Sequence, residues 1–292
     1  MKAALAFTRP PSTLLIEPQI RAALEEDLGR AGDITSDLTI PADKQAAAKL
    51  VARKPGRIAG LICAEAAFRL VDASMAFEVA LPDGSDAAAA SVLATVSGPA
   101  RSLLTAERVA LNFLGPLSGT ATLTAALVKA VEGTKARIVC TRKTLPGLRT
   151  LQKYAVRCGG AQNHRLGLYD MVLIKENHII AAGSIGGAIS RAHQTSPGIP
   201  VEVEVESLGE FDQALAAGAD IIMLDELSVD DMREAVKRNR SRESKAKLEA
   251  SGSVTLATVR EIALTGVDYV SIGGITKHVQ AVDLSMRFEF AA

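Results

Sequence analysis

The chain has no tryptophan, three tyrosines, seven phenylalanines and three cysteines among its 292 residues. Rings that could stack on bases are scarce and the formal charge is zero, so the usual supports for nucleic-acid binding are missing. Cys63, Cys140 and Cys158 stand far apart with no Cys-x-x-Cys pair. That gives neither a disulfide framework nor a zinc site, and it points to a reducing, cytoplasmic setting. No stretch offers the roughly 18 uninterrupted apolar residues of a membrane span. The run MKAALAF is too short for a secretory signal core and is broken at once by Arg9-Pro10-Pro11. Neither a Gly-x-Gly-x-x-Gly turn after a strand nor a P-loop occurs, so dinucleotide and nucleoside-triphosphatase readings lose their usual support.

What is present is an uneven distribution of charge. Between Cys140 and Ile179 stand Arg142, Lys143, Arg149, Lys153, Arg157, Arg165 and Lys175, with His164 and His178, against only Asp170 and Glu176. From Ala192 to Met232 there is no Lys or Arg, while Glu202, Glu204, Glu206, Glu210, Asp212, Asp220, Asp225, Glu226, Asp230 and Asp231 accumulate. A pocket drawing on both blocks suits a polyanionic substrate carried with a divalent cation. Arg149, Lys153 and Arg157 recur at helical spacing, which reads as a solvated helix face.

A helix is expected over 16–28, where Ile20, Ala23, Leu24 and Leu28 share a face, after a loose arm over 1–13. Short strands are expected at 48–52, 57–61, 76–81 and 92–96, separated by turn signals such as Lys54-Pro55-Gly56, with a helix at 64–73. A helix over 102–114 is expected to stop at Gly115-Pro116, with another over 119–131. The first 115 or so residues thus form an α+β unit with a mainly antiparallel sheet. Beyond them, Asp170-Met-Val-Leu-Ile-Lys175, Asp220-Ile-Ile-Met-Leu-Asp225 and Asp268-Tyr-Val-Ser-Ile-Gly273 repeat one frame: an acid, four mostly apolar residues, then a polar residue or glycine. With 136–140, 201–206 and 247–251 they make six buried strands alternating with helices, as in a (β/α) barrel or an open parallel sheet.

In such folds chemistry gathers at the carboxyl ends of the strands. Those ends carry Arg142, Lys143, Lys175, Glu204, Glu206, Asp225, Ser251-Gly252-Ser253 and Gly273-Gly274. Glycine turns let backbone N–H groups approach a phosphate, although βα turns use glycine for conformational reasons as well. Glu202, Glu204 and Glu206 alternate with valines, which marks either a solvated strand face or inward carboxylates that need a cation. Lys175 just past a buried strand is either an anion clamp or a Schiff-base former, and the nearby arginines favour the clamp.

The segments TRKTLPGLRTLQKYAV and NHRLGLYDMVLIKENHI resemble the signature region of the quinolinate phosphoribosyltransferase family. The likeness extends over nearly the whole chain, through EEDLGRAGDITSD, ERVALNFLGPLSGTAT, VEVEVESLGEFDQALAAGADIIMLDE and DYVSIGGIT. It implies an N-terminal α/β sandwich over 1–115, joined by the segment 279–292, and an incomplete (β/α) barrel over 116–278. The implied reaction moves a phosphoribosyl group from phosphoribosyl pyrophosphate to quinolinate with decarboxylation, in NAD biosynthesis. The implied assembly is a homodimer with shared active sites. By the same resemblance Arg142, His164, Arg165 and Lys175 hold the two substrate carboxylates, and Arg108 reaches in from the partner subunit. Lys143 contacts phosphoribosyl pyrophosphate, Glu204 and Asp225 serve the ribose hydroxyls and Mg2+, and the backbone of Ser251, Gly252, Ser253, Gly273, Gly274 and Ile275 holds phosphate. The sequence departs from the family pattern at Ser253 and at Lys277. Three alternatives stand beside this reading: a related pyrophosphorylase acting on another base, a barrel lyase with Lys175 as Schiff base, and a non-catalytic binding protein on the same scaffold.

Overall fold

The structure, a computed structural model, describes residues 9–241 and 246–289. Most of the arm expected over 1–13 lies outside the described residues. Two compact units share the chain. Unit 1 holds the chain up to Ala125, Leu145–Gly160 and everything from His278, while unit 2 holds Ala126–Thr144 and Ala161–Lys277.

Unit 1 opens with α1 (Thr13–Leu28) and α2 (Ile34–Thr39), followed by β1 (Gln45–Ala52), β2 (Gly56–Arg57) and α3 (Leu61–Val71). Then come β3 (Ala76–Val79), β4 (Asp86–Ala87), β5 (Val92–Pro99) and the long α4 (Ala100–Ala130), which runs on into unit 2. Ile16, Ile20 and Leu24 recur every four residues on α1 and are buried, the stripe that makes this segment a core helix. β12, near the end of the chain, completes an antiparallel sheet in the order β12-β1-β5-β3.

The stop expected at Gly115-Pro116 is overturned, because α4 passes through it. A boundary at 115 therefore falls inside a helix. Proline removes one backbone donor, but Leu114, Leu117, Ser118 and Ala121 around it are all buried, so packing prevails over local preference. The Gly115 carbonyl accepts a bond from the Val282 N–H at 3.0 Å. A β-carbon on Gly119 would stand 1.9 Å from the Gln280 carbonyl oxygen. These two glycines let the segment leading into β12 lie directly on the helix backbone.

Gly119→Ala is therefore expected to cost about 3 kcal/mol and to loosen β12, because the colliding atom is main chain. Gly186 has open space around its β-position. Gly186→Ala is accordingly the control, gaining about 0.5–1 kcal/mol from helix entropy. Denaturant midpoints and hydrogen exchange in β12 check both. Equal midpoints for the two variants would remove the contact from the account.

Unit 2 runs through β6 (Arg137–Val139), and the chain then makes α5 (Arg149–Cys158) as part of unit 1. Next come β7 (Val172–Ile174), α6 (Glu176–Ala182), α7 (Ile185–Thr195), β8 (Val201–Val205) and α8 (Leu208–Ala216). The rest is β9 (Ile221–Asp225), α9 (Val229–Arg240), β10 (Lys247–Ser251), α10 (Val259–Leu264), β11 (Tyr269–Ser271) and α11 (Gly274–Lys277), before β12 (Leu284–Glu289) returns to unit 1. The sheet is parallel in the order β6-β11-β10-β9-β8-β7. Among the described residues its outer strands β6 and β7 are not bonded to each other, which leaves the barrel incomplete. The acid that opens the repeated frame has a structural job. Asp220 accepts the Val201 N–H at 2.8 Å and Asp268 the Leu248 N–H at 3.0 Å, each fixing the start of a neighbouring strand.

The solvated face expected for α5 is a second correction. Lys153 is 1% exposed, and Leu151, Tyr154, Ala155 and Cys158 around it belong to the core of unit 1. A lysine stem of four methylenes packs like an apolar side chain, and its ammonium is not free of contacts. α5 is tied in by the Tyr154 hydroxyl, which donates to Asp83 at 2.8 Å, while the same carboxylate receives the Gly60 and Leu61 N–H groups. Burial pushes the Asp83 carboxyl up, and it pushes the Cys63 and Cys158 thiols up to about 12, so both thiols are inert packing groups.

Candidate active site

The carboxyl ends of the unit 2 strands surround a cavity of about 360 Å3, within the usual range of small-molecule sites. Arg142, Lys143, His164, Arg165, Lys175, Glu204, Asp225 and Ser251 line it, all of them sequence candidates. Strand geometry explains this gathering. β8 buries Val201, Val203 and Val205 on one side and turns Glu202 and Glu204 to the other. The solvated face considered for Glu202 and Glu204 is thus excluded, whereas Glu206, just past the strand, is exposed. β9 ends on Asp225 and β10 on Ser251, which are register partners. Lys175 follows β7 and caps α6. His178 accepts the Lys175 N–H on Nδ1 at 3.0 Å, which makes His178 a capping residue.

The cationic side of the cavity is under mutual strain. Burial, and the Arg142 guanidinium beside it, hold the Arg165 side chain below the usual arginine range. Nε of Arg142 is buried and has no hydrogen-bond partner among the described residues. Two guanidinium groups lining one cavity, one with an unanswered buried donor, suit an anionic ligand. Lys175 is ion-paired with Glu204. A lysine that lines the same cavity as two guanidinium groups fits an anion clamp, the reading the sequence favours.

Beneath the rim lie two acids. Glu202 is completely buried and Glu249 is 2% exposed. Nε2 of His164 stands 2.9 Å from Glu202 and 3.6 Å from Glu249, and the three side chains bring possible metal ligands within 4.8 Å. Nδ1 of His164, however, accepts the Arg165 N–H at 2.8 Å. A metal-bound imidazole normally donates from its other nitrogen, so this tautomer sends an N–H towards the carboxylates rather than a lone pair towards an ion.

Other candidates are placed differently. Gly252, Ser253, Gly273, Gly274 and Ile275 do not line the cavity itself, though they border it through their neighbours. Gly252 sits at φ +133°, and a β-carbon there would meet the Glu226 carboxylate at 2.7 Å. The Ser253 hydroxyl donates to the same carboxylate at 3.0 Å. The Lys143 side chain crosses Gly273, and the Thr276 hydroxyl donates to the Lys143 carbonyl at 2.7 Å, so that turn and that lysine are one piece. Ile275 is buried, which leaves only its backbone for a ligand. Arg108 belongs to unit 1, where it lines a separate hollow with Asp27, Asp33 and Thr105.

Sequence reasoning missed Thr141, Leu173, Met223, Glu249 and Ser271 as lining residues. The signal for Glu249 was one acid in the middle of an otherwise buried strand. The acidic block was also read too broadly. Glu210, Asp230 and Asp231 lie in first helical turns and Asp212 pairs with Arg238, leaving Glu204 and Asp225 at the rim.

Residues 120–287 match the family model described as quinolinate phosphoribosyl transferase, C-terminal domain, and residues 33–118 match the N-terminal domain of the same family. A probable nicotinate-nucleotide pyrophosphorylase [carboxylating] of Synechocystis sp. is 45% identical over 278 residues, covering 95% of this chain and 94% of the relative. The Mycobacterium leprae nicotinate-nucleotide pyrophosphorylase [carboxylating] is 44% identical, covering 91% and 95%. The solved structure of the nicotinate-nucleotide pyrophosphorylase from Francisella tularensis superposes with a TM-score of 0.92 at 41% identity, covering 97% of this chain and 99% of that one.

Proposed function

The chain belongs to the quinolinate phosphoribosyltransferase family and transfers the phosphoribosyl group of phosphoribosyl pyrophosphate to quinolinate with loss of CO2, and on that premise we propose how its residues divide the work. The observation that carries the assignment is the crowded pair Arg142 and Arg165, with a buried Arg142 donor left unanswered. Two adjacent ring carboxylates answer that demand. Arg142, Arg165 and Lys175 take the carboxylates, and His164 fixes the main chain of Arg165 through Nδ1. Lys143, locked to the Gly273 turn, takes the phosphoribosyl side. The backbones of Ser251-Gly252-Ser253 and Gly273-Gly274-Ile275 take phosphate oxygens.

In the first step the ring nitrogen of quinolinate attacks the anomeric carbon. The bond to pyrophosphate breaks with its electron pair on the departing oxygen. Positive charge grows on the ribose, and Glu204 and Asp225, which line the cavity, stabilise it and hold the ribose hydroxyls. The same two carboxylates fit Mg2+, which prefers hard oxygen ligands and binds through one or two protein carboxylates plus phosphate oxygens. Asp225 forms no ion pair among the described residues and is open to such a role. The ion, when bound, neutralises charge on the pyrophosphate. In the second step the bond from ring carbon C2 to its carboxylate breaks, CO2 leaves, and C2 takes up a proton. Arg108 completes the site from a second copy of the chain, in a homodimer. The three buried thiols, none of them in a disulfide among the described residues, fit a cytoplasmic enzyme.

An assay for nicotinate mononucleotide, CO2 and pyrophosphate in a 1:1:1 ratio tests the reaction. Excess chelator is expected to abolish turnover while quinolinate binding, followed by calorimetry, persists. Turnover that survives complete removal of divalent ions would end the role given to Glu204 and Asp225 in metal binding.

A further inference from the structure

The reaction leaves one demand that the rim does not answer. When CO2 departs, C2 of the pyridine ring holds the electron pair of the broken bond and must acquire a proton. Guanidinium groups do not release one, so Arg142 and Arg165 are excluded. Lys175, paired with Glu204, is assigned to the substrate carboxylates, and Lys143 belongs to the phosphoribosyl side.

Glu249 lies two residues below Ser251 on the same face of β10 and lines the cavity. Its Oε1 is buried and has no hydrogen-bond partner among the described residues. The charged and titratable groups facing it are Glu202 from β8, and His164 and Lys175 from the segments that flank β7. From β11 it meets the Ser271 hydroxyl. Burial, and next the Glu202 carboxylate, push its carboxyl group up to about 8, with His164 and Lys175 opposing. Two carboxylates in one dry layer cannot both ionise cheaply, and a proton kept on one of them is a stored acid.

We propose that Glu249 is the catalytic acid of the second step, delivering its carboxyl proton to C2 as CO2 leaves, with His164 and Glu202 as positioning residues. The C2–carboxylate bond breaks and leaves its pair on C2. The Glu249 O–H bond breaks, the proton joins that pair, and water restores the proton before the next turnover. This rests on the reaction and site assigned above.

Glu249→Gln keeps the shape but carries no acidic proton. In a single turnover the variant is expected to release pyrophosphate at close to the wild-type rate while nicotinate mononucleotide forms about 100-fold more slowly. The undecarboxylated dicarboxylate nucleotide should accumulate. Glu249→Asp, still an acid, should recover at least about 10-fold over the glutamine variant. In the wild type, product formation should fall as pH rises through about 8, where the acid loses its proton, and this arm needs no variant. The assignment is overturned by wild-type product formation in Glu249→Gln, by parallel loss of pyrophosphate release and product, or by a wild-type profile flat above that pH. A wild-type enzyme that makes no nicotinate mononucleotide would instead overturn the reaction on which the proposal stands.

Discussion

Arg165→Lys is expected to lower kcat/KM for quinolinate by about 100-fold, and Arg165→Ala by about 1000-fold, although lysine preserves the charge. A charge-assisted hydrogen bond contributes about 1.5–3 kcal/mol, and a guanidinium offers two in parallel where an ammonium offers a single point of contact. The backbone of Arg165 is already fixed by His164, and Asp170 receives the Leu166 and Gly167 N–H groups just beyond it, so little rearrangement can compensate. Discrimination supplies a sharper readout. Nicotinate has one carboxylate, and in the wild type it leaves one clamp unpaired in a desolvated site, a penalty of roughly 10- to 100-fold or more. In Arg165→Ala that preference should shrink, because the group that reads the second carboxylate is gone. Equal turnover of quinolinate and nicotinate by the wild type would end the assignment of the cationic rim.

The second large effect is a recovery. Arg108 lies in unit 1 and Lys175 in unit 2. If each site of a homodimer takes Arg108 from one copy and Lys175 from the other, both alanine variants are nearly inactive alone. In a mixed dimer one site collects both lesions and the other collects none. Random reassortment makes about half the dimers mixed, each with one intact site of two, so activity should return to about one quarter of wild type. A purification tag on one variant confirms exchange. Exchange without recovery would mean that Arg108 serves its own copy or that the assembly differs.

Much of the site was legible because strand ends announce themselves. A buried apolar run that stops at a charged residue placed Lys175 and Asp225, and strict alternation placed Glu204. What escaped notice depended on partners far away in sequence. The sequence could not show that Glu249 faces Glu202 and His164, because three separate segments bring that cluster together. Lys153 was misjudged for the same reason: spacing describes a helix face but not what covers it. At Gly115-Pro116 the local stop signal was real, yet a buried surround on both sides carried the helix through.

β12 has a consequence for how the molecule is made. Its partner β1 is synthesised early, yet the two pair along Ala47–Ala52 and Leu284–Glu289 only after all of unit 2 has been translated. Until then β1 has an open edge, a row of unpaired N–H and C=O groups available to any other nascent chain. Unit 1 therefore cannot mature at the ribosome ahead of unit 2, as an ordinary N-terminal domain would. The long interval before this contact forms favours slow folding and a period of vulnerability to misassembly.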